Sequence, residues 1–157
     1  MRRRYVLGSA LRALVGLQHQ EVGGEETMMH PEEHLALFGM QDFRKIRAWQ
    51  ENRELTVMIY KVTATFPPSE RFGLIAQMRD CVVSIGANIA EGCGRGSNAD
   101  TCRYFQMSFS SATELLHHLI TSSDLEFLGS NEFKELDERL DSIRRKIAKF
   151  MKRLRGE

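Results

Sequence analysis

The 157-residue chain has few cysteines, few prolines and no long apolar run. Its three cysteines, Cys81, Cys93 and Cys102, contain no Cys-x-x-Cys pair, which argues against a disulfide framework or a zinc site and favours a reducing cytoplasm. Only three prolines interrupt it, so long stretches are free to be helical. It also has no run of the roughly 18 apolar residues that a membrane span requires, so none is predicted.

Neither the overall charge nor the known catalytic motifs point to a particular function. The net charge is +1, with 42% hydrophobic and 27% charged residues, as in an ordinary soluble domain. Bulk charge therefore does not identify a partner, and the local distribution matters more. The chain has no nucleophile elbow, phosphate-binding loop or dinucleotide fingerprint. The motifs therefore offer no candidate catalytic residue and no cofactor.

Residues 1–39 differ from the remainder of the chain. They hold three of the five histidines and the Gly23-Gly24 pair, and they show no sustained hydrophobic periodicity. We interpret them as an N-terminal extension, either disordered or the product of a start codon placed too early. Met28, Met29 and Met40 are the candidate alternative starts.

Residues 40–157 show helical periodicity throughout, with apolar residues at steps of three and four. The predicted helices are 42–65, 69–91, 98–126 and 131–155. Asp42, Ser69 and Ser97 are the expected N-caps of the first three. Gly92 and Gly94 are expected to end the second helix through the left-handed region. Four helices of similar length joined by short turns predict an all-α, antiparallel up-down-up-down bundle.

The most distinctive segment runs from Ser84 to Arg95 (Ser-Ile-Gly-Ala-Asn-Ile-Ala-Glu-Gly-Cys-Gly-Arg). Its apolar helix carries Asn88 and Glu91, where a plain core helix would have neither. Either residue is open to a functional role, but a structural one is favoured, because buried polar groups must be hydrogen-bonded and fix helix register. We expect them to satisfy the open backbone at the turn, with Glu91 paired to Arg95 or Arg103.

This segment and its flanks resemble the signature of the 23S rRNA-intervening sequence proteins. That four-helix-bundle family includes the accessory variability determinant of diversity-generating retroelements. The resemblance covers roughly 42–155. The matching residues are Phe43, Trp49, Leu55, Tyr60, Thr65, Phe66-Pro67, Glu70–Leu74, Gln77, Arg79, Ser84-Ile85, Asn88–Gly92, Gly94-Arg95, Ser97-Asn98, Phe105, Ser111, Glu114 and Leu115. One departure is Gly86, where the family often has proline. Either residue weakens the helix, so a local bend is expected there.

The resemblance implies a non-enzymatic bundle that assembles as a ring, typically a homopentamer. Family genes lie inside intervening sequences of 23S ribosomal RNA genes. The accessory branch binds a reverse transcriptase, and binds nucleic acid through a basic surface.

The fourth predicted helix is polarised in charge. Four acids and one base occupy 131–138, whereas eight bases and one acid occupy 139–155. Acids at a helix start and bases at its end complement the macrodipole, but eight bases exceed that need. In an antiparallel bundle the basic start of the first helix would lie beside them. The predicted nucleic-acid-binding residues are therefore Arg44, Lys45, Arg47, Arg139, Arg144, Arg145, Lys146, Lys149, Lys152, Arg153 and Arg155.

Two further patterns leave alternatives open. Glu114 and His117 have the Glu-x-x-His spacing of di-iron bundles, but only one copy of that motif is present. His30 to His34 has the letters of a zinc-protease motif without the helical context that the motif needs. No metal site is therefore predicted. Phe109, Leu116 and Ile120 form a second apolar line on the third helix, which is either a subunit contact or a wide core face.

The leading functional interpretation is a nucleic-acid-associated accessory protein, binding RNA or DNA. The alternative is a protein-interaction scaffold, such as a reverse-transcriptase accessory subunit.

Overall fold

Four α-helices make up most of residues 40–157, the part of the chain that the computed structural model describes. They are α1 (Arg47–Thr63), α2 (Leu74–Cys93), α3 (Asn98–Asp124) and α4 (Ser130–Arg155), and no strand occurs within that range. Residues Asp42–Glu157 form one compact unit. The all-α class is confirmed, whereas the interpretation of residues 1–39 lies outside the described residues. No helix in residues 40–157 has the length and apolar character needed to cross a bilayer.

Each helix packs against two others, which produces the bundle: α1 contacts α2 and α4, and α3 contacts α2 and α4. The inward side chains are largely those that the periodicity predicts. The predicted core positions that are buried are Leu55, Ile59, Met78, Val82, Ile85, Ile89, Phe105, Ser108, Ala112, Leu115, Leu119, Leu136, Leu140, Ile143 and Ile147. Asn52 and Met151 are buried as well.

The predicted start of the first helix is wrong by five residues. Asp42 caps a separate 3-10 turn, Phe43–Lys45, where its carboxylate accepts a 3.0 Å hydrogen bond from the Arg44 N–H. Ile46 is extended, with φ −78° and ψ 116°, so the α-helix begins only at Arg47. It ends at Thr63, two residues before the predicted end, because the backbone turns ahead of Pro67.

The second helix begins later and ends later than predicted. Pro68 opens a 3-10 segment, Pro68–Phe72, and Ser69 therefore caps nothing. Gly73 occupies the N-cap of α2, where the Glu70 carboxylate accepts a 3.1 Å hydrogen bond from the Leu74 N–H. At the other end Gly92 lies inside the helix, and Gly94 is the C-cap with φ −83°. The left-handed termination predicted for these glycines is wrong.

The N-cap of α3 is confirmed, since the Ser97 hydroxyl accepts a 3.1 Å hydrogen bond from the Asp100 N–H. The helix ends at Asp124 rather than at 126, and Glu126 takes the left-handed conformation with φ 59°. Gly129 is the N-cap of α4. There the Glu132 carboxylate accepts a 3.2 Å hydrogen bond from the Gly129 N–H.

Small residues allow α2 and α3 to pack closely. The Ser108 hydroxyl donates to the Ile85 carbonyl over 2.9 Å, and the hydroxyls of Ser84 and Ser111 are 3.0 Å apart. A side chain on one helix can reach the backbone of another only when the two axes lie close together. The middle of α3 is therefore the place where it approaches α2 closely.

Candidate nucleic-acid interface

The second half of α4 is strongly amphipathic. Ile143, Ile147 and Met151 are buried on one side, while the cations lie on the remaining surface. Residues four and three apart share a helix face, so Arg145, Lys149 and Lys152 form one exposed line. Arg153 and Arg155, both exposed, flank it in the last turn. We call these five residues the basic end of α4.

Two of the predicted nucleic-acid-binding cations instead join α4 to α1. An Arg139 guanidinium nitrogen lies 3.3 Å from a Glu54 carboxylate oxygen, and Lys146 Nζ lies 3.0 Å from a Glu51 carboxylate oxygen. Arg139 also lies 3.5 Å from Glu135 on its own helix. These two positive charges are balanced by carboxylates within the protomer.

Two other arginines cover aromatic rings of the core. The Arg144 guanidinium lies 5.2 Å from the centroid of the Phe109 ring. Arg153 lies equally far, 5.2 Å, from the Phe150 ring, which stacks on Phe105 at a centroid distance of 4.4 Å. Cations above aromatic faces are attracted to them without losing their charge. Arg144 is half-buried, whereas Arg153 is exposed.

The remaining cations of the basic end differ in their pairing. Arg145 forms a 2.6 Å ion pair with Asp141, one turn earlier on the same helix. Within residues 40–157, Lys149, Lys152 and Arg155 have no ion-pair partner, and all three are exposed. They form the part of the predicted surface that retains unbalanced positive charge.

The cations at the start of the first helical region are distributed over a turn and a helix. Arg44 donates to both carboxylate oxygens of Asp42 at 2.8 Å, and this hydrogen bonding lowers the pKa of Asp42 below its ordinary 3.8. Arg47 donates to the Gln50 side chain over 3.3 Å. Lys45 is exposed in the 3-10 turn.

Asn88 hydrogen-bonds to Ser84, one turn earlier on its own helix. Its amide nitrogen donates to the Ser84 carbonyl at 2.9 Å and contacts the Ser84 hydroxyl at 3.1 Å. That hydroxyl is also 3.0 Å from Ser111 on α3. The half-buried amide thus extends a polar chain that links α2 to α3.

Glu91 pairs with Arg95 rather than with Arg103. The Glu91 side chain is 54% exposed. Arg95 also donates a 2.7 Å hydrogen bond to the Tyr104 hydroxyl and lies 4.5 Å from that ring's centroid. The open backbone near the turn is satisfied instead by Thr101, whose hydroxyl donates to the Gly92 carbonyl over 3.1 Å.

Gly92 lies inside α2, where that helix packs tightly against α3. A Cβ atom at this position would lie 3.0 Å from Tyr104 Cβ and 3.1 Å from a ring carbon of Phe105. Both neighbours belong to α3, so the missing side chain lets that helix approach. Gly94 lacks such crowding: its first side-chain carbon would meet a backbone oxygen at 3.4 Å.

The second apolar line on α3 is mostly a wide core face. Phe109 and Leu116 are partly buried and pack against the core cluster. Only Ile120 of the three is exposed, at 45%. A more open apolar groove lies on α1, lined by Thr56, Val57, Tyr60, Lys61 and Ala64.

Comparison with known proteins places the chain in a family. The model of the 23S rRNA-intervening sequence protein family matches residues 44–149. The chain belongs to this family. The chain also resembles a solved structure from Bacteroides thetaiotaomicron, described as a protein of unknown function from the S23 ribosomal protein family. That structure is 21% identical, has a TM-score of 0.61 and covers 67% of this chain and 98% of its own. No curated protein matches the chain.

Gly86 lies in the middle of α2, against the Asn52 side chain of α1. Asn52, 3% exposed, donates from its amide to the Val82 carbonyl over 3.0 Å. A Cβ atom at Gly86 would lie only 2.8 Å from that amide nitrogen. The helix is continuous through Gly86, and the space that a side chain would take there is filled by Asn52.

Sequence reasoning missed the residues that modify the basic surface. Glu51 and Glu54 neutralise part of α4 from a neighbouring helix, and Tyr104 holds Arg95. The only sequence signal for the two acids is their three-residue spacing, which places them on one side of α1. Which cations they meet depends on the helix register, which periodicity does not determine.

Proposed function

We propose that this family member is a cytoplasmic, non-enzymatic bundle that forms a ring oligomer and associates with structured RNA or DNA through the basic end of α4. The observation that carries the proposal is the exposed trio Lys149, Lys152 and Arg155, which has no ion pair within residues 40–157. Three buried thiols without a disulfide fit the reducing location.

An antiparallel arrangement is supported by the order of the contacts between helices. Along α1, Glu51 pairs with Lys146 and Glu54 with Arg139, so the partner number on α4 falls as the α1 number rises. Continued by one turn, this register would bring the start of α1 to the basic end of α4. Arg47, exposed in that first turn, would then extend the positive surface.

The competing explanation for the trio is stabilisation of the helix by cations near its C-terminus. That interaction acts within the last turn and contributes about 0.3–1 kcal/mol per charge at an exposed site. Lys149 lies more than a turn before the helix end at Arg155, so the macrodipole accounts for it least well. An assembly of several protomers would repeat the trio around a rim. Binding of these cations to the phosphates of DNA or RNA would release the counterions condensed on the nucleic acid.

Charge reversal of the trio tests the proposal. The variant Lys149→Glu, Lys152→Glu, Arg155→Glu is titrated against labelled duplex DNA and a labelled RNA hairpin by fluorescence anisotropy. Loss of three phosphate contacts lowers the salt-dependence slope for B-DNA by about 2.7, and for single strands by less. We expect weak binding with little remaining salt dependence.

The matched control reverses three exposed cations outside the basic end: Lys61→Glu, Arg71→Glu and Lys134→Glu. It makes the same change in net charge, so a general electrostatic effect would weaken both variants equally. Equal weakening, or unchanged binding of the first variant, would contradict a localised site.

The scaffold alternative is favoured by the apolar groove of α1. Val57 and Tyr60 are 52% and 45% exposed and line this groove. A protein partner such as a reverse transcriptase, or a neighbouring protomer, would cover them. Tyr60→Glu would then abolish partner binding or change the sedimentation coefficient, whereas the nucleic-acid proposal expects DNA binding per protomer to persist.

A further inference from the structure

Three potential metal ligands meet between α2 and α3, away from the basic end. Cys81 lies on α2, and Glu114 and His118 lie one turn apart on α3. The Cys81 sulfur, a Glu114 carboxylate oxygen and a His118 ring nitrogen all lie within 4.8 Å of one another. Thiolate, carboxylate and imidazole are the three ligand types that Zn²⁺ binds in proteins.

This cluster differs from the one that sequence spacing suggests. The Glu-x-x-His pattern pairs Glu114 with His117, but in the structure the histidine that joins the cluster is His118. Residues four apart lie on one helix face, so the side chains of Glu114 and His118 can bind the same ion. Cys81 supplies the facing ligand that the single sequence motif lacks.

One atom of the cluster lacks a hydrogen-bond partner. His118 Nε2 is buried and, within the part of the chain that the structure describes, no group hydrogen-bonds to it. The Glu114 Oε1 atom is 3.9 Å away, too far for a hydrogen bond. Buried polar atoms are rarely left unpartnered, so this nitrogen is available to coordinate a metal ion.

We propose that Cys81, Glu114 and His118 bind a divalent transition-metal ion, with Zn²⁺ the best match to the donor set. The proposal is independent of nucleic-acid binding. Three protein ligands leave the fourth tetrahedral position for water. The Glu114 side chain is 56% exposed, so its side of the cluster is open to solvent and gives the ion a path of entry.

The geometry requires only small side-chain movements. With zinc-to-ligand bonds of about 2.0–2.3 Å, tetrahedral ligand atoms are about 3.3–3.6 Å apart. The 3.9 Å His118–Glu114 separation is close to this, and the 4.8 Å limit of the cluster is about 1 Å longer. Rotation of the exposed Glu114 side chain and a small shift of the Cys81 thiol would close the site.

Metal binding at this cluster has to displace the proton of the Cys81 thiol. Burial, with the nearby Glu114 carboxylate, raises the pKa of the Cys81 thiol to about 12, so it is protonated without metal. Burial lowers the pKa of His118, which keeps the imidazole neutral and able to coordinate. On binding, the thiol proton passes to solvent and the thiolate charge is balanced by the ion.

Cobalt titration of the full chain tests the site. The reduced, chelator-treated protein is titrated with Co²⁺, whose thiolate charge-transfer and tetrahedral ligand-field bands report the donor set. We expect both bands at one equivalent of Co²⁺ per chain, and their loss when Zn²⁺ is added. Thermal unfolding should shift upward with Zn²⁺, since the ion ties α2 to α3 in the folded state only.

Variants identify the ligands. Glu114→Gln, Cys81→Ser and His118→Asn should each weaken Co²⁺ binding by about 100-fold or more, given that loss of an outer-shell partner alone costs about 10–100-fold. The controls are His117→Asn and Cys102→Ser, which change a neighbouring histidine and another buried thiol. They should bind as the wild type does.

The proposal would be overturned by a wild-type chain that shows no cobalt bands, or by a Glu114→Gln chain that binds Co²⁺ with unchanged affinity and spectrum. Because the Glu114 side chain is mostly exposed, Glu114→Gln is expected to fold, and circular dichroism checks this directly. Unchanged binding by Cys81→Ser or His118→Asn would equally contradict the assigned ligand set.

Discussion

Gly86 and Asn52 should be strongly coupled in stability, because one occupies the space that the other leaves. Asn52 is 3% exposed and donates its amide to the Val82 carbonyl over 3.0 Å. That carbonyl is four residues before Gly86, so it is also the helical acceptor of the Gly86 N–H. An alanine Cβ at residue 86 would lie 2.8 Å from the Asn52 amide nitrogen, closer than such atoms tolerate.

The expected magnitudes follow from two opposing terms. Alanine in place of glycine favours a helix interior by about 1 kcal/mol. Displacing the Asn52 amide leaves a buried donor unsatisfied, which costs about 1–3 kcal/mol. Gly86→Ala should therefore lower the free energy of unfolding by about 1 kcal/mol in the wild-type background. In an Asn52→Ala background the clash is absent, and the same change should raise it by about 1 kcal/mol.

Urea unfolding of the four proteins measures this cycle, with equal m-values as the check that all four unfold alike. The sign of the Gly86→Ala effect should reverse between the two backgrounds, for a coupling of about 2 kcal/mol. The reasoning would be refuted if Gly86→Ala had the same effect in both backgrounds to within about 0.5 kcal/mol.

Three further changes follow from the described contacts. Gly92→Ala, whose Cβ would meet a side-chain atom of α3 at 3.0 Å, should cost about 1–3 kcal/mol in a thermal melt, whereas Gly94→Ala should be nearly neutral. Asp42→Asn should destabilise the protein at neutral pH, because hydrogen bonds from Arg44 lower the pKa of Asp42 below 3.8. The stability advantage of the wild type is full above pH 3.8 and is lost as the pH falls through the lower pKa of the folded state. A stability difference that stays constant in melts across this pH range would contradict the prediction. Glu91→Gln should change the free energy of unfolding, measured with urea, by less than about 1 kcal/mol, because the ion pair with Arg95 is exposed. A larger loss would show that this pair stabilises the fold more than an exposed ion pair does.

The core was predictable because burial imposes a period on each helix. Met78, Val82, Ile85 and Ile89 follow steps of four, three and four, and all four are buried. The helix starts were less predictable. The 3-10 segments Phe43–Lys45 and Pro68–Phe72 resemble helix in composition, and hydrophobic periodicity does not distinguish so short a turn from the first turn of an α-helix.

The surface was predictable only in part, because charge is visible in sequence and pairing is not. Lys146 and Lys149 look alike in the sequence, yet Lys146 pairs with Glu51 and Lys149 has no acidic partner within residues 40–157. The Cys81–His118 cluster likewise depends on the register of α2 against α3. Each case is a contact between distant residues, which a local pattern does not specify.

The most direct test of the central claim is the salt dependence of nucleic-acid binding by the full chain. Fluorescence anisotropy with duplex DNA and a structured RNA, each from 50 to 200 mM salt, measures it. If Lys149, Lys152 and Arg155 contact phosphates, the slope of log K against log salt for DNA should be about −2.7 or steeper, a loss of at least about 40-fold over that range. No binding at 50 mM salt, or binding that does not respond to salt, would contradict a phosphate-binding role for the basic end of α4.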